Sequence, residues 1–219
     1  MILLDKIFNR SHKRFLSSIF RKKRLSFFHK LISGLEKPVK LLDVGGNHTI
    51  WKMMQFKDIN VIILNNPDVI KASLPYLKYV AGDARDMSQF KDKEFDLVFS
   101  NSVIEHVGSR KDQKKMADEI RRVGKRYFIQ TPNRYFPIEP HFLFPFFQFL
   151  PLRLSSFLLM NFDLGFYTKA SDYTSAVELI KSINLLDKKS LLELFPEAKI
   201  YEEIVLFFTK SFTAYYGWK

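Results

Sequence analysis

The sequence predicts an α/β domain built on a mostly parallel sheet, and three observations predict it. Short apolar runs recur between residues 39 and 130 with helical stretches between them. Polar and glycine residues gather just after those runs, where parallel sheets bind ligands: Gly45-Gly46-Asn47, Asn65-Asn66, Gly82-Asp83-Ala84, Asn101-Ser102 and Thr131-Pro132-Asn133. A chain of 219 residues with 47% hydrophobic content has room for one sizeable core.

The elements follow in chain order. Residues 1–34 are expected to be helical, in two pieces meeting near Arg21–Arg24. Ile2, Leu3, Ile7, Phe15 and Ile19 sit at helical intervals with bases between them, and Gly34 is a helix stop. Val39–Val44 reads as a buried strand entering a tight turn, with a helix following around Trp51–Phe56. Val61–Leu64, Tyr79–Ala81, Phe95–Ser100 and Tyr127–Gln130 are further strands. A helix over Arg110–Val123 puts Met116, Ile120 and Val123 on one face. Tyr135–Phe166 is dense in Phe and Pro and predicts a cap, about 134–170: a lid, a pocket wall or a membrane-contacting surface. A short helix Lys188–Phe195 and strands Lys199–Leu206 and Ser211–Tyr215 close the chain.

The charge is unevenly spread. The chain carries a net +12, but residues 1–40 hold eleven Lys and Arg against Asp5 and Glu36, which is +9 and leaves +3 elsewhere. The basic character therefore belongs to an N-terminal arm, residues 1–36. Its partner would be an anionic membrane surface or nucleic acid, and a solvated helix face would read the same way. Cysteine is absent, which excludes a disulfide framework, a thiolate zinc site and a cysteine nucleophile, and fits a reducing cytoplasm. The longest apolar stretch, Phe142–Met160, is broken by Pro145, Gln148, Pro151 and Arg153 and is too interrupted for a membrane span. No HxxxH, cysteine pair or dense carboxylate cluster is visible, so no metal site is expected; no GxSxG supports a serine hydrolase.

Leu41-Leu42-Asp43-Val44-Gly45-Gly46-Asn47-His48 is the strongest local signal: small residues after a strand let backbone approach a ligand. It is not GxGxxG, which argues against a nicotinamide dehydrogenase. Taken in order with Gly82-Asp83-Ala84 and with Phe95-Asp96-Leu97-Val98-Phe99-Ser100-Asn101-Ser102-Val103-Ile104-Glu105-His106, it resembles a class I S-adenosylmethionine-dependent methyltransferase of the type 11 group. The resemblance covers about residues 39–133.

The resemblance implies a Rossmann-like sheet of seven strands, mostly parallel with an antiparallel last strand, in a methyltransferase domain over 37–219. It implies S-adenosylmethionine as cofactor and S-adenosylhomocysteine as product. Asp43 with Gly45 and Gly46 matches the motif that holds the methionine part. Asn65 stands where the family usually has a carboxylate for the ribose hydroxyls. Gly82, Asp83 and Ala84 match the position that reads the adenine amino group, and Ser100, Asn101 and Ser102 lie beside the sulfonium. Two departures stand out. Gly45-Gly46-Asn47-His48-Thr49 keeps only the first glycine of the usual Gly-x-Gly-x-Gly, and Asn65 replaces an acid.

The sulfonium methyl is already activated, so the protein must chiefly position two partners. A hydroxyl or amine acceptor also needs a general base, and His106 and His141 are the candidates. Glu105 precedes His106, but adjacent side chains at a helix start point apart. Asn101-Ser102-Val103-Ile104 stands where nucleic-acid amino-methyltransferases carry Asn/Asp-Pro-Pro-Tyr/Phe, so nucleic acid is a disfavoured substrate. The Phe-rich cap favours a small or lipid-like, partly apolar acceptor methylated at oxygen or nitrogen. The alternatives are a non-catalytic binding protein of the same fold and an RNA methyltransferase using the basic arm. The arm places the chain in the cytoplasm or at the inner membrane face.

Overall fold

A computed structural model of the chain describes residues 10–54, 56, 58–66 and 77–218; the side chains of residues 10–20 and of Met53 lie outside that description, as do Ile2, Leu3 and Ile7. The order of elements is α1 (Arg10–Ser33), β1 (Val39–Val44), α2 (His48–Met54), β2 (Ile59–Asn65), β3 (Leu77–Ala81), β4 (Leu97–Asn101), a 3₁₀ turn (Ile104–His106), α3 (Arg110–Val123) and β5 (Tyr127–Pro132). Then follow β6 (Ile138–Glu139), β7 (Phe144–Pro145), a 3₁₀ turn (Phe147–Phe149), α4 (Leu152–Asn161), α5 (Tyr173–Lys181), α6 (Lys188–Leu194), β8 (Lys199–Val205) and β9 (Phe208–Tyr216).

Seven strands form one sheet in the order β3-β2-β1-β4-β5-β9-β8. The first five pair in parallel, and β9 runs antiparallel to both β5 and β8. The central strands are apolar on both faces: every residue of β5 is buried, as are all of β1 but Lys40. That double burial is what a parallel sheet covered by helices requires. All five parallel strands end on one edge, where β1 hands over directly to the Gly45–Gly46 turn.

One face is covered by α1. Phe28 is fully buried between Phe99 and Phe128, each with ring centroids at 4.9 Å, and Leu25 and Ile32 continue the same stripe. Burying three such side chains contributes roughly 5–9 kcal/mol. The expected break near Arg21–Arg24 is absent: α1 runs unbroken. Arg24 is buried and donates to Glu203 of β8 at 2.9 Å, so this basic position turns inward and continues the helix. The other face holds α3 and α6. Ser109 and Asp112 form a capping box that starts α3, a device worth about 1 kcal/mol, and Met116, Ala117, Ile120 and Val123 face the core.

The Phe-rich segment forms a cap with a small core of its own around Phe142, Phe147, Leu159 and Ala176. It contains the short β6–β7 hairpin and the helix α4, and α5, beyond the expected end of the cap at about residue 170, packs on α4 and completes that core. Phe146, Phe149, Phe157, Phe162 and Phe166 remain exposed. No helix among the described residues is long and apolar enough to cross a membrane.

Candidate functional site

The carboxyl edge of the sheet carries the site. Gly45 has φ +74, and a Cβ there would come within 2.6 Å of Val103. A Cβ on Gly46 would run into the carboxylate of Asp43. The two glycines therefore let the β1 turn fold back over Asp43. Asp43 is fully buried, and its Oδ2 accepts from Trp51 Nε1 at 2.6 Å. Its Oδ1 is buried with no partner. Burial pushes the Asp43 carboxyl up to about 7, against the hydrogen bond from Trp51. Trp51 comes from α2, whose first turn is capped by Asn47 Oδ1 accepting from Thr49 N–H at 2.9 Å. The residues that replace the expected glycines thus start a helix.

Asn65 Nδ2 donates to the Gly46 carbonyl at 2.8 Å, and its Oδ1 accepts from the Asn66 N–H. The side chain braces the glycine turn with a donor that a carboxylate lacks. Asp83 accepts from Arg85 in a bidentate pair, with Oδ2 to Nη2 at 2.6 Å; hydrogen bonds from the Arg85 side chain hold its carboxyl below the usual range. Gly82 has no room for a Cβ, which would meet Leu64 at 2.6 Å.

Ser100 is buried and donates to the Val44 carbonyl at 3.0 Å, tying β4 to β1. Asn101 Oδ1 is buried and unpartnered beside it. Ser102 has φ +55 and donates to Gln130 Oε1 at 2.8 Å.

The two histidines, 35 positions apart in sequence, meet. Their Nε2 atoms lie 3.1 Å apart with rings nearly perpendicular. His141 stands in the β6–β7 loop. Glu139 is buried; its Oε1 lies 2.8 Å from His141 Nδ1, and its Oε2 accepts from the N–H groups of His141 and Phe142, each at 2.7 Å. The cap holds the loop through Phe166 N–H, which donates to the His141 carbonyl at 3.0 Å. With Glu139 accepting from Nδ1, the Nε2 of neutral His141 is an acceptor, so His106 donates its Nε2–H. This tautomer leaves His106 Nδ1 bare, without a partner among the described residues. Partial burial and the neighbouring His141 hold the His106 imidazolium down, at about 4.

Glu105 does not orient His106. It is fully buried, accepts from Thr131 Oγ1 at 3.0 Å through Oε2, and leaves Oε1 unpartnered; burial pushes it up to about 7. One atom each of Glu105, His106 and His141 lies within 4.8 Å of the others, a spacing that could hold a metal ion. Motif spacing showed none because the three atoms come from the 3₁₀ turn after β4 and from the β6–β7 loop. Sequence reading also missed Trp51 and Glu139; the Glu139-x-His141 spacing was the available signal.

A cavity of about 250 Å³ lies within the 134–185 segment, walled by Phe142, Phe147, Leu150 and Ile180 together with the polar Arg134 and Gln148, and it shares Glu139 with the histidine pair.

Residues 58–127 match the family model of a methyltransferase domain. Over 56 residues the chain is 38% identical to an uncharacterised protein of Mycobacterium tuberculosis. That stretch is 26% of this chain and 19% of the relative, so the chain spans about a fifth of the curated relatives it matches. Among solved structures, a protein of Pyrococcus horikoshii is similar with a TM-score of 0.54 at 20% identity, over 91% of each chain. An S-adenosylmethionine-dependent methyltransferase of Methanosarcina mazei is similar with a TM-score of 0.53 at 15% identity, over 86% of this chain and 95% of the other. A putative methyltransferase from an antibiotic biosynthesis pathway of Anabaena variabilis gives 0.52 at 15%, over 84% and 65%. The sheet order agrees with these likenesses: the chain has the class I, Rossmann-like fold of the methyltransferases, and its residues 58–127 resemble a methyltransferase domain.

Proposed function

We propose that this protein is an S-adenosylmethionine-dependent methyltransferase that methylates oxygen or nitrogen of a small or lipid-like acceptor seated against the cap. One observation carries the reading. Two buried acceptor atoms without a partner among the described residues, Asp43 Oδ1 and Asn101 Oδ1, come from the carboxyl ends of β1 and β4, and β1 leads into a glycine turn with no room for side chains. Buried acceptors are ordinarily satisfied, so this edge is shaped for a ligand that donates. The methionine ammonium and hydroxyls of the cofactor are such donors.

Asp43, Gly45, Gly46 and Asn101 would hold the cofactor, with Gly82, Asp83 and Ala84 at the adenine end and Asn65 fixing the turn. The cofactor supplies an activated methyl group on a sulfonium. The residues of this chain do the rest. Ser100 and Ser102 hold the end of β4 in place through the Val44 carbonyl and Gln130. His106 Nδ1 takes the proton of the acceptor hydroxyl or amine. His106 passes its Nε2 proton to His141 Nε2, and the positive charge comes to rest on His141 beside Glu139. The handover matters because a cation left on His106 is disfavoured there. The apolar cavity wall accommodates the apolar part of the acceptor.

Calorimetric titration with S-adenosylmethionine and with S-adenosylhomocysteine tests the cofactor half. Micromolar binding of both supports it; no binding to folded protein refutes it. Binding without turnover on any hydroxyl or amine acceptor favours the non-catalytic alternative. The relay is tested by chelation: turnover unchanged in EDTA supports the base, whereas loss restored by a divalent ion reassigns Glu105, His106 and His141 as cation ligands.

A further inference from the structure

The turn between β8 and β9 is made of two residues, Leu206 and Phe207, since Val205 pairs with Phe208. A two-residue hairpin turn ordinarily takes Asn and Gly, because a positive φ is costly for other side chains. Here Leu206 has φ +55 and is 85% exposed, and Phe207 is 95% exposed. Ile204 and Phe208 flank them, also exposed. Among the described residues, the most exposed large apolar side chains stand at a tip that favours neither residue.

The tip stands on the carboxyl edge of the sheet. Asn133, just past β5, donates to the Thr209 carbonyl at 2.7 Å. Tyr135 follows, exposed and stacked on exposed Phe149 with centroids at 6.0 Å, so the apolar surface continues from tip to cap. The acids near the tip are spent: Glu203 on Arg24 and Ser211, Glu202 on Lys188 and Thr209. The neighbouring turn of α1 presents Arg21, Lys22 and Lys23, all exposed and without an ion pair among the described residues; Arg21 lies close enough to Lys210 of β9 to act on it electrostatically. Arg10, Lys13 and Arg14 occupy earlier turns of the same helix.

We propose that this edge docks on an anionic lipid surface, with Leu206 and Phe207 entering the acyl boundary and Arg21, Lys22 and Lys23 meeting the headgroups. A projecting apolar tip beside uncompensated cations is complementary to a negatively charged, deformable surface. A protein partner would have to offer both a socket for the tip and a run of acids. The inference does not depend on the reaction proposed above.

The test is sedimentation of the full chain with vesicles of phosphatidylcholine alone or with about 30% phosphatidylglycerol. The comparison variants are L206N/F207G and R21Q/K22Q/K23Q. Because Asn tolerates the positive φ of position 206 better than Leu does, L206N/F207G is expected to melt no lower than the parent. The parent should bind the anionic vesicles, with each variant about tenfold weaker and added salt weakening the parent. Absence of binding to anionic vesicles overturns the proposal. So does L206N/F207G binding like the parent, or binding that ignores phosphatidylglycerol. Concentration-dependent self-association abolished by L206N/F207G, with no vesicle binding, would instead make the tip a contact between copies.

Discussion

Asn65 donates its Nδ2 hydrogen to the carbonyl oxygen of Gly46 at 2.8 Å, so the end of β2 holds the glycine turn that follows β1. A carboxylate at position 65 cannot make this bond and would face a carbonyl oxygen instead. Asn65→Asp is therefore expected to weaken S-adenosylmethionine binding by about tenfold, the effect of one lost hydrogen bond. Calorimetry reads it directly; equal or tighter binding would show that position 65 contacts the ribose and not the turn.

The histidine relay makes a kinetic prediction. His106→Ala should lower turnover by about 10²-fold or more while cofactor affinity stays within about twofold. Glu139→Gln removes the charge that stabilises a protonated His141. Its maximal rate should fall, and the acid limb of its rate profile should move to lower pH, because the dyad now resists protonation longer. A loss of rate with an unmoved acid limb would leave Glu139 a purely structural residue of the loop.

Asp43 makes stability depend on pH. Its carboxyl is raised from the usual carboxylate range to about 7, so the native state binds more protons than the unfolded chain between about pH 4 and pH 7. Its ionisation therefore costs stability as pH rises through that window, and Glu105 acts in the same sense. His106, held at about 4, acts oppositely below its ordinary value of 6.5. Asp43→Asn isolates the first contribution: relative to the parent, its unfolding free energy, read by chemical denaturation, should gain on the order of 3 kcal/mol as pH rises from 5 to 8. A constant difference across that range would contradict the assignment.

Arg24 and Glu203 form a buried pair between α1 and β8. Arg24→Met strands the Glu203 carboxylate and should cost about 3–5 kcal/mol, whereas Arg24→Met with Glu203→Leu should recover most of it. Chemical denaturation of the parent and the two variants checks the pattern; Arg24→Met as stable as the parent would show the pair to be dispensable.

Sheet and site differed in how legible they were. Val39–Val44 and Arg110–Val123 were readable to the residue, because β1 is a continuous apolar run and α3 has a capping serine with a clean apolar stripe. The unbroken α1 was not, since a basic cluster gives no sign that one of its members, Arg24, turns inward to an acid 179 residues away. The glycine and polar turns at the carboxyl edge were legible as an ordered set, but the contacts of Asn65 and Trp51 depend on elements brought together by the fold. The meeting of His106 with His141 was invisible for the same reason: 35 residues and a hairpin separate them. Leu206 read as the last residue of a strand and Phe207 as part of a longer connection to Ser211, because apolar residues in a turn carry no turn signature.

The placement of His141 has a consequence for how such enzymes diversify. Glu139 and His141 ride on the same inserted segment that walls the cavity, while the glycine turn and Asn101 belong to the sheet. On the function proposed here, exchanging that segment between relatives would carry substrate choice and proton acceptor together, as one heritable cassette, and leave the methyl-donor half untouched.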